Sequence, residues 1–347
     1  MFFVDEKLAA RARTLGEMRY RDLQTLFPMR SMENMAGPDE VNHTFPGRVD
    51  GGEMNQNDFF IGRDRYLWLQ KEVQLPQCPE NCQVVGLFDF GKTGGGFNSG
   101  FESLLYVDGH PWQGVDTYHN DVILDSFAGK EVQLTFMLWT GLEGGGPHVT
   151  HYHQMKQAAI GFLDLPTDHL YYYAKAISQT VKLLPENAPE KYELENALNR
   201  AILLIDWDGD FYGTVPEALA SLEESLSKME KHTPVTVHCV GHTHIDVAWL
   251  WRLKHTREKA MRSFSTALRL MEEFDEYVFM QSQPQLCAYI KEDCPELFEQ
   301  IKAKVANGQW EADGGMWLEA DCNISSGESL VRQFLHGCRF VREEFGT

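Results

Sequence analysis

Positive charge is scarce in this chain. Lys and Arg together number 31 against 51 Asp and Glu, so the 347 residues carry a formal net charge of -20. That balance argues against nucleic acid and anionic membrane surfaces as partners. Long apolar runs are missing too. The amino terminus, MFFVDEKLAARARTL, meets Asp5 and Glu6 after a very short apolar stretch, and no later segment is long and apolar enough to span a bilayer. The expectation is a cytoplasmic protein with no membrane association. Cysteine is sparse, odd in number and scattered: Cys78, Cys82, Cys239, Cys287, Cys294, Cys322 and Cys338. This is no disulfide framework, and reduced thiols are expected. Cys78 and Cys82 bracket a turn, but no second pair repeats their spacing. What the chain does have is an ordinary 43% of hydrophobic residues, enough for two domains with normal cores.

Taken in order, residues 1–57 read as an amino-terminal arm, with helical charge patterning from Asp5 to Leu26 and then a loop rich in Gly, Pro, Asn and Asp. From Asp58 the period changes to short alternating or apolar runs such as YLWLQKEVQ, QVVGLFDF and KEVQLTFMLW, separated by turn residues. Residues 58–166 are therefore expected to form an antiparallel β-sandwich, with Asp108-Gly109 as one tight turn. Its glycine loops GKTGGGFNSG and GLEGGG, with nearby aromatics, admit a sugar-binding surface, but connections and core are the simpler reading. His148, His151 and His153 lack an accompanying carboxylate or cysteine at ligand spacing, which favours a hydrogen-bonded loop. Residues 167–234 show helical patterning in three segments broken by LPENAP and DWDGDFYG, a helical connector. Asp206, Asp208 and Asp210 resemble the start of a calcium loop, but the spaced Gly and terminal Glu are absent.

The most informative stretch is VTVHCVGHTHIDVAW, residues 235–249. Val235, Val237, Cys239 and Val240 read as a short buried strand that ends at Gly241. In extended backbone His242, His244 and Asp246 share one face while Thr243 and Ile245 take the other. Two imidazoles and a carboxylate on one face suit a divalent metal of the zinc type. The same H-x-H pattern also begins amidohydrolase-type metal sites. Beyond it, an expected helix at 256–274, strand at 277–282, helical material at 284–306 and strand at 309–313 give a βαβ rhythm, which implies parallel strands with their carboxyl ends gathered on one side. Asp313, Glu319 and Asp321 lie in ADGGMWLEADCNISSGESLVRQ, residues 312–333, where Gly314 and Gly315 allow a sharp turn, Trp317 supplies an apolar wall and Ser325 or Ser326 is a helix cap.

Together, HTHIDVAW at 242–249 and the 312–333 stretch closely resemble the α-mannosidases of glycoside hydrolase family 38. The resemblance is strong over 235–347 and weaker over the preceding sandwich and connector, which look like the leading region of cytosolic, vacuolar-type and bacterial members. It implies an α/β plus all-β architecture in which 235–347 is the start of a parallel β/α catalytic domain. It also implies a retaining exo-α-mannosidase acting on mannose-containing oligosaccharides with one zinc ion, although cobalt or another divalent ion is compatible with such donors. By motif, His244 and Asp246 match metal ligands, Asp321 matches the residue that both ligates zinc and attacks the anomeric carbon, and Trp249 matches the aromatic wall against the sugar. His242 matches no family ligand and is expected behind them. The fourth ligand, a His, and the acid/base Asp lie further along in the family than Thr347. On that ground the chain is expected to be a truncated portion, inactive or poor by itself. A homo-oligomer would be unsurprising.

Two other functions fit parts of the sequence. A metal-dependent amidohydrolase or deacetylase would use His242, His244 and Asp246 to activate water, and a substrate panel separates it. A carbohydrate-binding or interaction module would place the function in the sandwich, and mannoside binding that survives chelation and Asp321→Asn would favour it.

Overall fold

The computed structural model describes residues 4–34, 45–91, 101–142, 150–230, 235–313 and 315–346. In chain order these form α1 (Val4–Met18), β1 (Tyr20–Thr25), β2 (Met29–Asn34), β3 (Gly52–Met54), β4 (Phe59–Gly62), β5 (Tyr66–Gln74), β6 (Cys82–Asp89), β7 (Glu102–Val107), β8 (His110–Asp116), β9 (Asp121–Ile123), β10 (Glu131–Trp139), β11 (His151–Gln154) and β12 (Gln157–Asp164). There follow α2 (Leu165–Thr180), α3 (Pro189–Leu204), α4 (Phe211–Ser227), β13 (Gly241–His242), α5 (Leu253–Glu273), β14 (Phe279–Gln281), α6 (Pro284–Asp293), α7 (Pro295–Ala306), β15 (Trp310–Ala312) and α8 (Gly327–Phe345).

Two antiparallel sheets, ordered β1-β12-β6-β9 and β3-β2-β5-β10-β7-β8, face each other over a core that includes Leu67, Leu69, Phe88, Leu105, Phe136 and Leu138. Strand alternation explains why the six-stranded sheet is buried on both faces. Leu67 and Leu69 of β5 point into the sandwich, so Tyr66 and Trp68 point outward, and β10 and β7 repeat the pattern with Met137, Trp139, Leu104 and Tyr106. These outward residues form a second core with Met261, Phe264 and Leu268 of α5, Phe279 of β14 and Trp310 of β15. Each such large side chain removed from water contributes roughly 1.5–3 kcal/mol. The sandwich is thus welded to the carboxyl-terminal segment through α5. The β7–β8 turn is the expected Asp108-Gly109, both residues having positive φ.

The stretch read as an arm is more than peripheral. Helix α1 ends at Met18, and residues 20–34 become β1 and β2, which pair with β12 and β5 within the sandwich. Leu8, Ala12 and Leu15 of α1 pack with Leu170 of α2, Leu198 of α3 and Leu222 of α4 in a four-helix layer. Asp164 caps α2 by accepting from the Thr167 amide, and Asp210 caps α4 by accepting from Gly213. The three connector helices are present as the sequence pattern predicts, but the third starts earlier than expected, at Phe211 within DWDGDFYG. None of the seven cysteines is paired with another.

After the connector, β13, β14 and β15 make a parallel three-stranded sheet in that order. The expected strand over Val235 to Val240 is not formed. Only Gly241 and His242 pair with β14, and Val235 and Val237 are 68% and 76% exposed. Among the described residues β13 is an edge strand of this sheet, and the two valines stay largely exposed beside it. No helix of the described residues is long and apolar enough to cross a membrane.

Candidate active site

The HTHID stretch leaves β13 at the carboxyl end of the parallel sheet. Ile245 is buried, as its place opposite the histidines requires, while His244 and Asp246 face away from the core. His244 Nε2 lies 3.3 Å from Asp246 Oδ1, and His244 Nδ1 lies 2.6 Å from Glu319 Oε2. The Glu319 carboxylate comes from the loop after β15, so one imidazole joins the two sequence motifs. Ser282, just past β14, bridges further: its hydroxyl donates to Glu319 Oε1 at 3.2 Å and meets His242 Nε2 at 3.5 Å. His242 therefore stands behind Glu319, one hydroxyl removed from its carboxylate.

Buried glutamines hold the two loops in register. Gln283, 1% exposed, donates from Nε2 to the Ile245 carbonyl at 2.9 Å and accepts at Oε1 from the Glu319 amide at 3.3 Å. Its own amide donates to Oε1 of buried Gln281. The loop after β15 is also pinned to α8 by Trp317 N to the Gln333 carbonyl and Leu318 N to Gln333 Oε1. These glutamines carry no charge and fit no ligand motif, so they were invisible in sequence; their signal lies only in the buried carbonyl and amide they satisfy.

Asp321 sits in the same loop and is exposed. Its Oδ1 accepts from the Asn323 amide at 2.9 Å, and its carbonyl accepts from Ile324 and Ser325. The structure does not gather it with His244 and Asp246, and no group of three His, Cys, Asp or Glu side chains that could hold a metal is present among the described residues. Ser326 is the cap of α8, accepting from the Ser329 amide. Gly315 adopts a positive φ of 62°, while Gly314 lies outside the described residues.

Trp249 is 59% exposed and packs edge-on against Trp251, with ring centroids 5.4 Å apart. Ala248 before it takes φ +65°, a left-handed conformation that a residue with a Cβ rarely adopts. Its amide donates to Thr256 Oγ1, and Thr256 and the Trp251 indole both donate to the Asp246 carbonyl. The strained turn and these bonds aim Trp249 into a cleft of about 750 Å³ between the carboxyl-terminal segment and the sandwich, lined also by His244, Asp246, Glu102 and Lys259.

The cleft floor is electrostatically locked. Glu102 of β7 accepts from Lys259 Nζ at 2.7 and 2.8 Å and pairs with Arg262. Burial works against this carboxylate, but the two cations hold it below its ordinary range. Of the other histidines, His153 is buried between the Gly91 and Thr140 carbonyls, His151 stacks on it at 6.2 Å, and His148 lies outside the described residues with most of both glycine loops.

Residues 234–347 match the family described as glycosyl hydrolases family 38 N-terminal domain. Over these residues the chain is similar to glycosyl hydrolase family 38. The chain is similar to alpha-mannosidase G of Dictyostelium discoideum, 47% identical over 124 residues, which is 36% of this chain and 11% of that protein. Similarity to Homo sapiens alpha-mannosidase 2C1 is 30% over 293 residues, covering 80% of this chain and 27% of that one. The Saccharomyces cerevisiae alpha-mannosidase is 32% identical over 214 residues, 58% of this chain and 19% of that protein. The chain spans between about a tenth and about a quarter of the length of these curated relatives.

Proposed function

We propose that the protein is a retaining exo-α-mannosidase that removes terminal α-linked mannose from oligosaccharides. The supporting observation is the contact between its two motifs, His244 on Glu319 and Asp246, within a segment whose relatives bear the name alpha-mannosidase. The donor set fits a zinc-type ion in part. His244 Nε2 and the Asp246 carboxylate lie 3.3 Å apart, two donors of the types such an ion takes, while Asp321 is not gathered with them. His244, Asp246 and Asp321 are the residues proposed to hold it. Such an ion supplies Lewis-acid polarisation and orients sugar hydroxyls when bound.

Glu319 fixes the tautomer and tilt of His244, and Ser282 and His242 support Glu319. Trp249 presents an apolar face to one side of the mannose ring and excludes water from it. Asp321 attacks the anomeric carbon, forming a glycosyl ester as the leaving oxygen departs; water then cleaves the ester with net retention. Protonation of the leaving oxygen falls to a second carboxyl acid. The cytoplasm is the proposed setting.

The test is release of an aryl leaving group from an aryl α-D-mannoside by the product of the complete reading frame, before and after chelation and with zinc restored. Activity lost on chelation and regained with zinc supports the reading. A folded, metal-loaded protein that leaves α-mannosides intact but hydrolyses acetamides would replace it with the deacetylase.

A further inference from the structure

The cleft is too large for one pyranose. Clefts of roughly 300–1,000 Å³ hold ligands of drug size, and this one measures about 750 Å³. One wall is His244, Asp246 and Trp249. The opposite wall belongs to the sandwich, a part of the chain to which no step of the chemistry has been given.

That wall is built on a rigid row. Trp139 of β10 pairs with Glu102 of β7, and Glu102 pairs with Asp116 of β8, so three cleft-lining side chains stand side by side across neighbouring strands. Asp116 then organises the turn that leads to β9. Its Oδ1 accepts from the Tyr118 amide at 2.7 Å and the His119 amide at 3.0 Å, and His119 Nδ1 lies 3.1 Å from both carboxylate oxygens. Backbone bonds between Asp116 and His119 run in both directions. Hydrogen bonding to Asp116 raises the His119 pKa above its ordinary value, which favours the imidazole as a donor. The turn is pre-organised, and it holds Tyr118 60% exposed at the cleft.

An exposed aromatic ring fixed beside an imidazole donor and a carboxylate suits a polyhydroxylated ring. The tyrosine offers an apolar face to sugar C–H groups, and its neighbours bond hydroxyls of either sense. We propose that the β8–β9 turn, Tyr118 with His119 beside it, receives the sugar on the leaving-group side of the scissile bond, so that the sandwich reads the oligosaccharide while His244, Asp246 and Trp249 hold the terminal mannose. This rests on the mannosidase reading.

Calorimetric titration of the zinc-supplied full-length protein with methyl α-D-mannoside and with an α-linked mannotriose tests it without requiring turnover. Wild type is expected to bind the trisaccharide more tightly than the monosaccharide. Tyr118→Ala should weaken trisaccharide binding about fivefold to tenfold and leave methyl mannoside unchanged, while Tyr118→Phe retains most of the advantage. Equal loss for both ligands, or an unchanged trisaccharide affinity in a folded Tyr118→Ala protein, overturns the proposal. So does a wild type that binds both sugars with no preference. A wild type that binds neither overturns the mannosidase reading itself, and the proposal with it.

Discussion

The carboxylate of Glu319 lies 2.6 Å from Nδ1 of His244, and this contact joins two loops that leave different strands of the parallel sheet. A carboxylate behind an imidazole fixes which nitrogen faces outward. Replacing Glu319 with Ala should lower zinc affinity about tenfold to a hundredfold. Competition against a chromogenic chelator reads this directly and does not depend on catalysis. Unchanged affinity would mean that His244 is not a ligand or that its orientation is set elsewhere.

Gln283 should behave as a buried pin. Gln283→Leu strands the Ile245 carbonyl and the Glu319 amide, at a cost of about 1–3 kcal/mol for each group left unpaired, visible as a lowered thermal midpoint. Zinc affinity should fall with it, because both loops lose their common reference. A variant as stable as wild type would show that water or another group replaces the glutamine.

Ala248 tests whether backbone strain aims Trp249. Ala248→Gly relieves a positive φ, worth about 1 kcal/mol, and should leave stability equal or higher. Mannoside KM should rise, since glycine frees the turn that directs the indole. A lower KM would contradict the assignment.

The junction between sandwich and α5 carries a pH signature. Tyr66 donates its hydroxyl to Glu258 at 2.8–2.9 Å, and burial pushes the Glu258 carboxyl up from its ordinary 4.5 to about 7, against the pull of Arg262. A raised folded-state pKa means that the folded protein binds the extra proton between pH 4.5 and 7. Stability is therefore fully present below 4.5 and lost as pH rises through 7, by roughly 3 kcal/mol from this group. His255 works oppositely: burial lowers its pKa below 6.5, so its contribution is lost on acidification. Glu258→Gln should remove the first trend alone, and denaturant titrations at pH 5 and pH 8 measure the difference. An identical pH dependence in wild type and variant would exclude Glu258 as its source.

Much of the fold was legible because its signals are local. Alternating runs mark the strands, Pro and Gly breaks separate α2, α3 and α4, and Ser326 caps α8 as its residue type suggests. The fate of residues 20–34 was not legible, because polar strands such as YRDLQT carry no apolar alternation and take their identity from pairing with β12 and β5. The valines of 235–240 misled for the converse reason, since an apolar pattern buries only where a layer exists to cover it. At the site, His244 and Asp246 stood out by type and spacing, and Trp249 by the family resemblance. Gln283, Ser282 and the Asp116 turn did not, because their roles arise only when distant loops meet.

Asp321 decides the account. An activated fluorinated mannosyl donor that forms its ester faster than water cleaves it should leave one mannosyl unit on the full-length protein, and peptide mass mapping locates it. The account predicts the modification on Asp321 and none in Asp321→Asn. A label on Glu319 or another residue, or steady hydrolysis with no covalent species and inverted product, would contradict it.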